Sequence, residues 1–281
     1  MEHIVELGGI VTGFHVTEHY IDCMCGKDLL KIDKHSRSII CQRAVFEREG
    51  LSRKLIADDE RIYIYDFCTL YILNQKNYEL IDKWQLGHDL SSDICGIAVD
   101  AAAVYCSIRN GKIITLDEQS YQIKEFAVSE SSMWSIKTYD QYLLAGTVDG
   151  KLLLLDKSTL SIEKNLNLGK KNIGSLHIGE GSLYASSHGG KLFKIGVGSF
   201  EVETSQKNAH RKMFDCAGIC KDMLVTVSYP CSEIALWNKD TLEKIKVIST
   251  PLKLSGRAYI ENDFMYISSR NILGIGRIQL N

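Results

Sequence analysis

The sequence predicts an all-β fold, and three observations support that prediction. An apolar run that ends at a polar or glycine position recurs seven times, at intervals of 38 to 43 residues. Turns that contain glycine or acidic residues interrupt the apolar runs after about four to eight residues, which is the length of a strand. The segments between turns, such as 61–65 and 223–228, are rich in β-branched and aromatic residues. Four short strands in each unit of about 40 residues are typical of a propeller blade, so the 281 residues predict a seven-bladed β-propeller of four-stranded antiparallel blades.

The third strand of each predicted blade ends at a position that we call the pivot. Just before the pivot strands stand Asn-Gly, Asp-Gly and Gly-Gly pairs, at 110–111, 149–150 and 189–190. A two-residue hairpin turn needs positive φ, which glycine and asparagine adopt at little cost. These pairs therefore predict hairpins between the second and third strands. The seven pivots are Asp33, Asn74, Asp117, Asp156, Gly196, Asn238 and Gly276.

Other repeat architectures fit the sequence less well. A helical solenoid has a similar period, but each of its units needs two amphipathic helices of about ten or more residues. The glycine-marked turns interrupt every apolar run before such a helix could form. A parallel β-helix predicts a shorter repeat, and a β-sandwich predicts no sevenfold register.

The two ends of the chain predict how the ring closes. Only five residues follow the pivot Gly276, whereas roughly 18 residues separate the other pivots from the next unit. Residues 3–7 precede the first inner strand and can supply the missing outer strand. We therefore expect the N-terminal strand to complete the last blade and residues 1–281 to form a single β-propeller domain.

The sixth unit carries a more specific pattern. His210 is followed by Asp222 twelve residues later, then by Ser228 and by Trp237-Asn238 at the pivot. This arrangement resembles a degenerate WD40 repeat, in which the last two residues are Trp-Asp. The resemblance implies that the histidine, aspartate, serine and tryptophan form a hydrogen-bonded brace within the blade.

The third unit resembles the same repeat more weakly. It has Gly-His at 87–88, Asp100, Ser107 and, at the pivot, Leu116-Asp117. Leucine replaces tryptophan, so the brace should be incomplete. The other five units lack the Gly-His pair, which places the resemblance at the level of the WD40-like superfamily. Quinoprotein-like and lactonase-like propellers remain alternative relatives.

Composition limits the classes of function. The chain has 33 Lys and Arg against 35 Asp and Glu, and 45% of its residues are hydrophobic. This hydrophobic fraction excludes a disordered chain, and a net charge of −2 gives no general reason to expect nucleic acid as a partner. The N-terminal residues lack the pattern of a leader, and no stretch approaches the roughly 20 apolar residues of a membrane span. We expect a cytoplasmic, monomeric protein without a membrane or nucleic-acid partner, with its nine cysteines reduced and mostly buried.

A propeller places the loops that enter the inner strands on one face, together with the hairpins before the pivots. In this sequence those loops collect cations, whereas the turns between first and second strands are acidic. Clustered cations predict a protein or peptide partner with an acidic or anionic segment, and exposed aromatic residues would serve as contact anchors. The simpler alternative is that the loops are merely polar and that the aromatic residues plug the channel. The candidate binding residues are Arg53, Lys54, Arg109, Trp134, Lys171, Lys212, Phe214, Tyr229 and Arg270.

No catalytic or metal-binding motif stands out. Rigid sheets with variable loops suit protein binding, and the resemblance to WD40-like families, which commonly act as scaffolds, implies a non-catalytic scaffold that binds a protein or peptide through its loop-rich basic face. The alternative is a lyase, hydrolase or peptide-modifying enzyme, with His188, Tyr229 and Arg109 at the mouth of the channel. A third hypothesis is a ligand or metal sensor that uses the cysteines and His15. The Cys-x-Cys pair at 23–25 lacks the spacing of a zinc knuckle, and burial of these cysteines as small apolar residues is the simpler interpretation. We expect no cofactor and no metal.

Overall fold

The computed structural model describes residues 2–47, 54–117, 120, 122–271 and 273–280. These residues form short antiparallel strands and two 3-10 helices, Leu90–Ser92 and Tyr229–Cys231. No helix in the described part of the chain has the length and apolar character required to cross a bilayer.

In chain order the strands are grouped by sheet, and each sheet is called a blade. The N-terminal strand is β1 (Glu2–Glu6). Blade 1 contains β2 (Val11–Val16), β3 (Tyr20–Cys25), β4 (Asp28–Asp33) and β5 (Ile39–Ala44). Blade 2 contains β6 (Lys54–Ala57), β7 (Arg61–Asp66), β8 (Thr69–Asn74) and β9 (Leu80–Gln85). Blade 3 contains β10 (Ile94–Val99), β11 (Ala103–Ile108), β12 (Lys112–Asp117) and β13 (Ile123–Ala127).

The later blades repeat the same order. Blade 4 contains β14 (Met133–Tyr139), β15 (Tyr142–Thr147), β16 (Lys151–Asp156) and β17 (Ile162–Asn167). Blade 5 contains β18 (Ile173–Gly179), β19 (Ser182–Ser187), β20 (Leu192–Gly196) and β21 (Glu201–Gln206). Blade 6 contains β22 (Asp215–Cys220), β23 (Met223–Ser228), β24 (Glu233–Asn238) and β25 (Lys244–Ser249). Blade 7 contains β26 (Leu254–Glu261), β27 (Phe264–Ser269), β28 (Gly274–Gln279) and β1.

The N-terminal strand completes the last blade, as the sequence predicted. β1 pairs antiparallel with β28, with Glu2 opposite Arg277 and Glu6 opposite Gly274. The guanidinium of Arg277 also donates to the Glu2 carboxylate at 2.6 Å. This ion pair lowers the pKa of Glu2, chiefly through its hydrogen bond from Arg277.

The described chain divides into two compact units. Unit 1 contains Met1–Gln85, Ala217–Leu236 and Lys246–Asn281, and unit 2 contains Leu86–Cys216 and Trp237–Ile245. The expectation of a single domain over 1–281 stays a prediction. Apolar side chains between successive blades form the core of each unit. In unit 1 they include Phe14, Ile21, Leu30, Tyr266 and Ile275. In unit 2 they include Leu144, Leu154, Leu183, Phe193 and Ile195.

The polar pivot has a physical role in the turn to the outer strand. A carboxylate oxygen of Asp33 accepts the backbone N–H of Ser36 at 2.7 Å, and the carbonyl of Asp33 accepts the N–H of Arg37 at 2.8 Å. Arg37 has φ of 59°. The same bond recurs from Leu160, with φ of 53°, to the pivot Asp156. An aspartate or asparagine is favoured at this position because its side chain satisfies the N–H groups of the turn.

The hairpin before each pivot strand requires glycine in unit 2. Gly111 has φ of +83°, and a Cβ added there would lie 1.9 Å from the carbonyl oxygen of Ser129. Gly190 has φ of +78°, and its added Cβ would lie 2.4 Å from the carbonyl oxygen of His210. Gly150 has φ of +92°, and its added Cβ would lie 2.5 Å from the carbonyl oxygen of Gly169. Glycine is therefore needed both for the turn and for the contact with the loop that follows the outer strand.

Serine hydroxyls fix the start of the inner strands in unit 2. Ser107 donates to the carbonyl of Met133 at 2.8 Å, and Ser135 donates to the carbonyl of Ile173 at 2.7 Å. Both acceptors lie at a β-bulge, where the register shifts between Met133 and Ser135 and between Ile173 and Ser175. The bulge in β14 contains Trp134 and so changes the direction of that side chain relative to its neighbours.

A buried charged group joins blades 1 and 2 within unit 1. Only 1% of the Asp22 side chain is exposed, and its carboxylate accepts a short hydrogen bond from the hydroxyl of Tyr78. The ammonium of Lys31 lies 3.5 Å from the same carboxylate oxygen and donates to the carbonyl of Gln75 at 2.7 Å. Its distances to the ring centroids of Tyr20 and Tyr78 are 5.3 and 5.2 Å. Burial raises the pKa of the Tyr78 hydroxyl far above its usual range, and the adjacent Asp22 carboxylate adds to that increase.

Candidate functional site

The predicted binding residues fall in both units. In unit 1, Lys54 begins β6, and its ammonium lies 5.8 Å from the centroid of an aromatic ring in β7. Tyr229 belongs to a 3-10 helix, and its hydroxyl accepts the backbone N–H of Ala258 at 3.2 Å. Arg270 is exposed in the turn after β27. Arg53 lies outside the described residues.

Three neighbouring segments of unit 2 carry a larger group of cations: 168–172, 187–191 and 207–214. The backbone N–H of His188 donates to the carbonyl of Asn172 at 2.9 Å, and the N–H of Ala209 donates to the carbonyl of Gly190 at 2.7 Å. These bonds hold the three segments side by side. We call their cations the basic loop cluster, which consists of Lys170, Lys171, Lys191, Lys207, Arg211 and Lys212.

The basic loop cluster is accessible to solvent. All of its members are exposed except Lys191, which is half-buried. The side chain of Lys171 lies along the hairpin, because a Cβ added at Gly189 would be 3.2 Å from Lys171 Cγ. The loops therefore present several cations over a short stretch of surface, and two of them, Lys171 and Lys212, are predicted binding residues.

Trp134 and His188 lie together beside this cluster. Trp134 is 41% exposed, and the two rings make an edge-to-face contact with centroids 6.4 Å apart. His188 Nδ1 lies 3.3 Å from the side-chain nitrogen of Asn172. The ring occupies space above Gly174, where an added Cβ would come within 2.3 Å of His188 Nε2. Burial lowers the pKa of His188, and the negative charge of Asp215 partly opposes that shift.

Arg109 is already paired with an acidic residue. Its guanidinium donates to the Asp93 carboxylate at 2.8 Å, with 50% of the arginine side chain exposed and 8% of the aspartate side chain exposed. The carbonyl of Arg109 also accepts a short hydrogen bond from Ser132. Because Asp93 compensates its charge, Arg109 contributes less positive potential than the sequence analysis assumed.

Phe214 corrects one expectation of the sequence analysis. The residue is only 1% exposed, and its ring packs against His210 with centroids 4.6 Å apart. Its carbonyl accepts the hydroxyl of Ser186 at 2.7 Å. Phe214 is therefore a core residue at the start of an inner strand and cannot act as an exposed contact anchor. The neighbouring Met213 is 46% exposed and presents apolar surface instead.

The acidic turns are partly neutralised. In unit 2 the Asp100 carboxylate accepts from Lys157 at 2.5 Å, and Glu180 forms a short ion pair with Lys239. Both lysines directly follow a pivot residue. Unit 1 contains two further pairs of this kind, Lys34 with Glu261 and Lys221 with Asp263. The position directly after a pivot could have indicated Lys34, Lys157 and Lys239 from the sequence, whereas Lys221 belongs to an acidic turn.

Three of the four residues that the WD40 resemblance singles out in the sixth repeat are buried, and Asp222 is exposed. His210, Ser228 and Trp237 are all buried, and the rings of His210 and Trp237 lie 6.3 Å apart at 66°. The ammonium of Lys244 lies 4.7 Å from the centroid of the Trp237 ring. The full four-residue brace stays a prediction. Burial and the nearby Lys244 lower the pKa of His210 to about 4.

Histidines whose pKa is lowered by partial or full burial predict a loss of stability in weak acid, and half-buried His177 is one of them. Burial, helped by the charge of Lys137, lowers the pKa of His177 to about 4 from an ordinary value of 6.5. Below about pH 6.5 the unfolded chain therefore binds a proton at this histidine that the folded chain does not. The unfolding free energy keeps its full value above about pH 6.5 and decreases as the pH falls to about 4. We expect His177→Gln to remove about 2 kcal/mol of the decrease in unfolding free energy between about pH 7 and about pH 4.5.

Urea unfolding of the wild type, His177→Gln and His19→Gln at both pH values measures this effect. His19 is an exposed histidine and serves as the matched control. An identical pH dependence in all three proteins would contradict the prediction.

The residues proposed for an enzyme have separate contacts. His188 contacts Asn172 and Trp134, Arg109 pairs with Asp93, and the Tyr229 hydroxyl accepts the N–H of Ala258. The enzymatic alternative stays a prediction. Among the described residues, no group of three or more histidine, cysteine, aspartate or glutamate residues is placed to hold a metal ion. The nine cysteines are free thiols, and six of them are buried.

Comparisons with known proteins establish the fold class. No protein-family model matches the chain, and no curated protein matches it significantly. The crystal structure of the computationally designed Ika8 protein is similar to it, with a TM-score of 0.74 over 99% of this chain and 100% of that chain. At a sequence identity of 11%, this similarity supports the fold and nothing further. With its seven four-stranded antiparallel blades, the chain is a seven-bladed β-propeller.

Proposed function

We propose that this protein is a non-catalytic, WD40-like scaffold that binds an acidic segment of a partner protein through the basic loop cluster. The observation that supports the proposal is the position of exposed Trp134 beside the three cationic segments of unit 2. Clustered cations attract an acidic segment and accelerate its association, while a partly exposed tryptophan supplies the apolar contact area that dominates many interfaces.

The fold suits this task. Propellers commonly serve as protein-binding scaffolds, and their rigid sheets hold loops that are free to vary in sequence. In unit 2 the close approach of Gly190 to His210 and the bonds from Ser135 to Ile173 and from Ser186 to Phe214 fix the loops that carry the cations. A surface held in place before binding loses little conformational entropy when a partner docks.

Charge reversal within the basic loop cluster tests the proposal. We expect the double variant Lys171→Glu and Lys212→Glu to bind an acidic peptide about tenfold more weakly at low ionic strength, because it replaces attraction with repulsion. The probe is a fluorescein-labelled peptide in which glutamates alternate with serines and flank one leucine. Its affinity is measured by fluorescence anisotropy over a series of salt concentrations.

The double variant Lys124→Glu and Lys164→Glu is the matched control, since it changes the net charge equally at exposed lysines of the outer strands β13 and β17. We expect this control to bind the peptide like the wild type, and the cluster variant to lose most of the salt dependence. Equal weakening by the two double variants would contradict a role for the basic loop cluster.

A further inference from the structure

The hydrogen bonds of His188 define which ring nitrogen can meet a ligand. The side-chain nitrogen of Asn172 lies 3.3 Å from His188 Nδ1, and in the neutral tautomer that carries its proton on Nε2 the amide N–H donates to Nδ1. Nε2 is not fully buried and has no hydrogen-bond partner among the described residues. It lies above the backbone of Gly174, where any Cβ would displace it. In that tautomer the ring is held with an Nε2–H group that has no partner within the described residues.

Asn172 can support the ring in both of its protonation states. Its side-chain oxygen is buried and has no hydrogen-bond partner in the described part of the chain. If His188 takes up a proton, Nδ1 becomes a donor and needs an acceptor. A half-turn of the Asn172 amide would present the buried oxygen to Nδ1, which satisfies both groups. Asn172 is thus a positioning residue for His188.

The surroundings of His188 favour an anion with a single charge. Trp134 forms one apolar wall, and Lys171 lies along Gly189, the next residue of the hairpin. The charged group facing His188 from the neighbouring inner strand is Asp215. Its negative charge repels a phosphate dianion more strongly than a carboxylate monoanion.

We propose that Trp134, Asn172 and His188 form the anchor subsite for one carboxylate of the acidic segment, and that His188 takes up a proton when this carboxylate binds. The inference rests on the proposed function, because it names the chemical group recognised beside the basic loop cluster. His188 Nε2 donates to the carboxylate, Trp134 packs against the methylene groups of the acidic side chain, and the lysines steer the segment to the site.

Proton uptake makes binding depend on pH. Burial keeps His188 mostly neutral in the free protein at neutral pH, because it lowers the pKa of the ring despite the charge of Asp215. A bound carboxylate favours the imidazolium and raises that pKa. The bound state therefore holds more protons than the free state, and affinity rises as the pH falls. We expect a peptide with glutamates to bind about fivefold to tenfold more tightly at about pH 6 than at about pH 8.

Three peptides of equal length test the inference on the full chain. They carry glutamate, glutamine or phosphoserine at the same positions, and their affinities are measured at the two pH values for the wild type and for His188→Gln. We expect affinity to rise toward about pH 6 only with glutamate, because the phosphoserine peptide loses negative charge as the pH approaches its second pKa of about 6. We expect His188→Gln to remove that rise while salt-dependent binding persists. In ¹⁵N-histidine spectra of the wild type, the chemical shifts of the His188 ring nitrogens should move toward imidazolium values when the glutamate peptide is added.

The positioning role of Asn172 has its own readout. Asn172→Asp supplies a fixed acceptor for Nδ1–H, so we expect the pH dependence of glutamate binding to move to higher pH without loss of affinity at about pH 6. An unchanged pH profile would overturn that role.

The outcomes separate the subsite from the proposed function. If His188→Gln retains the pH dependence of glutamate binding, or if the affinity of the phosphoserine peptide also rises toward about pH 6, the carboxylate subsite is wrong while the basic loop cluster can still bind the partner. If charge reversal of Lys171 and Lys212 leaves the peptide affinity unchanged but His188→Gln removes its pH dependence, the subsite is supported and the proposed role of the basic loop cluster is wrong. If the wild type binds none of the peptides, both proposals are overturned.

Discussion

Replacement of Lys31 by methionine is expected to lower the unfolding free energy by about 3 to 5 kcal/mol. The ammonium of Lys31 lies 3.5 Å from the carboxylate of Asp22, which is buried within unit 1. Methionine keeps the apolar stem but removes the charge, so Asp22 would retain only the hydroxyl of Tyr78 as a described partner. A buried carboxylate without a counter-charge is much less stable than a paired one. Urea unfolding at neutral pH measures the loss.

Two further variants separate this effect from a general loss of packing. Asp22→Asn combined with Lys31→Met should recover at least half of the lost stability, because a neutral amide still accepts the hydroxyl of Tyr78 and needs no cation. Lys221→Met removes a lysine from the exposed pair with Asp263 and should change the unfolding free energy by less than about 1 kcal/mol. Equal losses from Lys31→Met and Lys221→Met would show that burial does not strengthen the pair.

The second large effect is expected at a hairpin glycine. Gly111→Ala should destabilise the protein by about 3 kcal/mol, since it combines the cost of an alanine at positive φ with a clash against a backbone carbonyl. The added Cβ would lie 1.9 Å from the carbonyl oxygen of Ser129, and φ at this glycine is +83°. The loop that carries Ser129 would have to move, although its N–H donates to the carbonyl of Gly111 at 3.0 Å.

Gly181→Ala is the matched control in the same unit. Gly181 has φ of +76°, but no atom lies within 4 Å of an added Cβ. We expect this variant to lose only the conformational term, about 1 kcal/mol. The difference between the two variants in urea unfolding then measures the contact between hairpin and loop. If Gly181→Ala lowers the unfolding free energy as much as Gly111→Ala does, the positive φ alone explains the loss and the contact with the loop contributes nothing.

The repeat was predictable because it depends on local chemistry. The Asn-Gly, Asp-Gly and Gly-Gly pairs stand where the structure has hairpins, and the pivot at Asp156 caps the turn that the sequence placed there. The spacing of these signals predicted the number of blades, and the strand-like residues 3–7 ahead of the first inner strand were predicted to complete blade 7, where β1 does pair with β28. Other turns were not predicted in detail, because Arg37 and Leu160 adopt positive φ without being glycine.

The candidate site was less predictable because it depends on contacts between neighbouring strands of blade 5 and on the contact of Trp134 in blade 4 with His188. No spacing in the sequence indicates that His188 lies over Gly174 or that Asn172 approaches its ring. Phe214 illustrates the same limit, since a position at the start of an inner strand can point to solvent or to the core. For Trp134, the bulge between Met133 and Ser135 changes the direction of the side chain, and a simple alternation of strand residues does not predict it.

The pairing of β1 with β28 also affects the order in which the chain can fold during synthesis. Glu2 and Arg277, which join these strands, are 275 residues apart in sequence. At about 5 to 20 residues per second, a ribosome needs roughly 15 to 55 seconds to make the partner of β1 after β1 itself has emerged. During that interval the backbone donors and acceptors of β1 have no native partner, and the glutamates at its two ends oppose pairing with other chains. Blade 7 is therefore the last of these seven sheets that a nascent chain can complete.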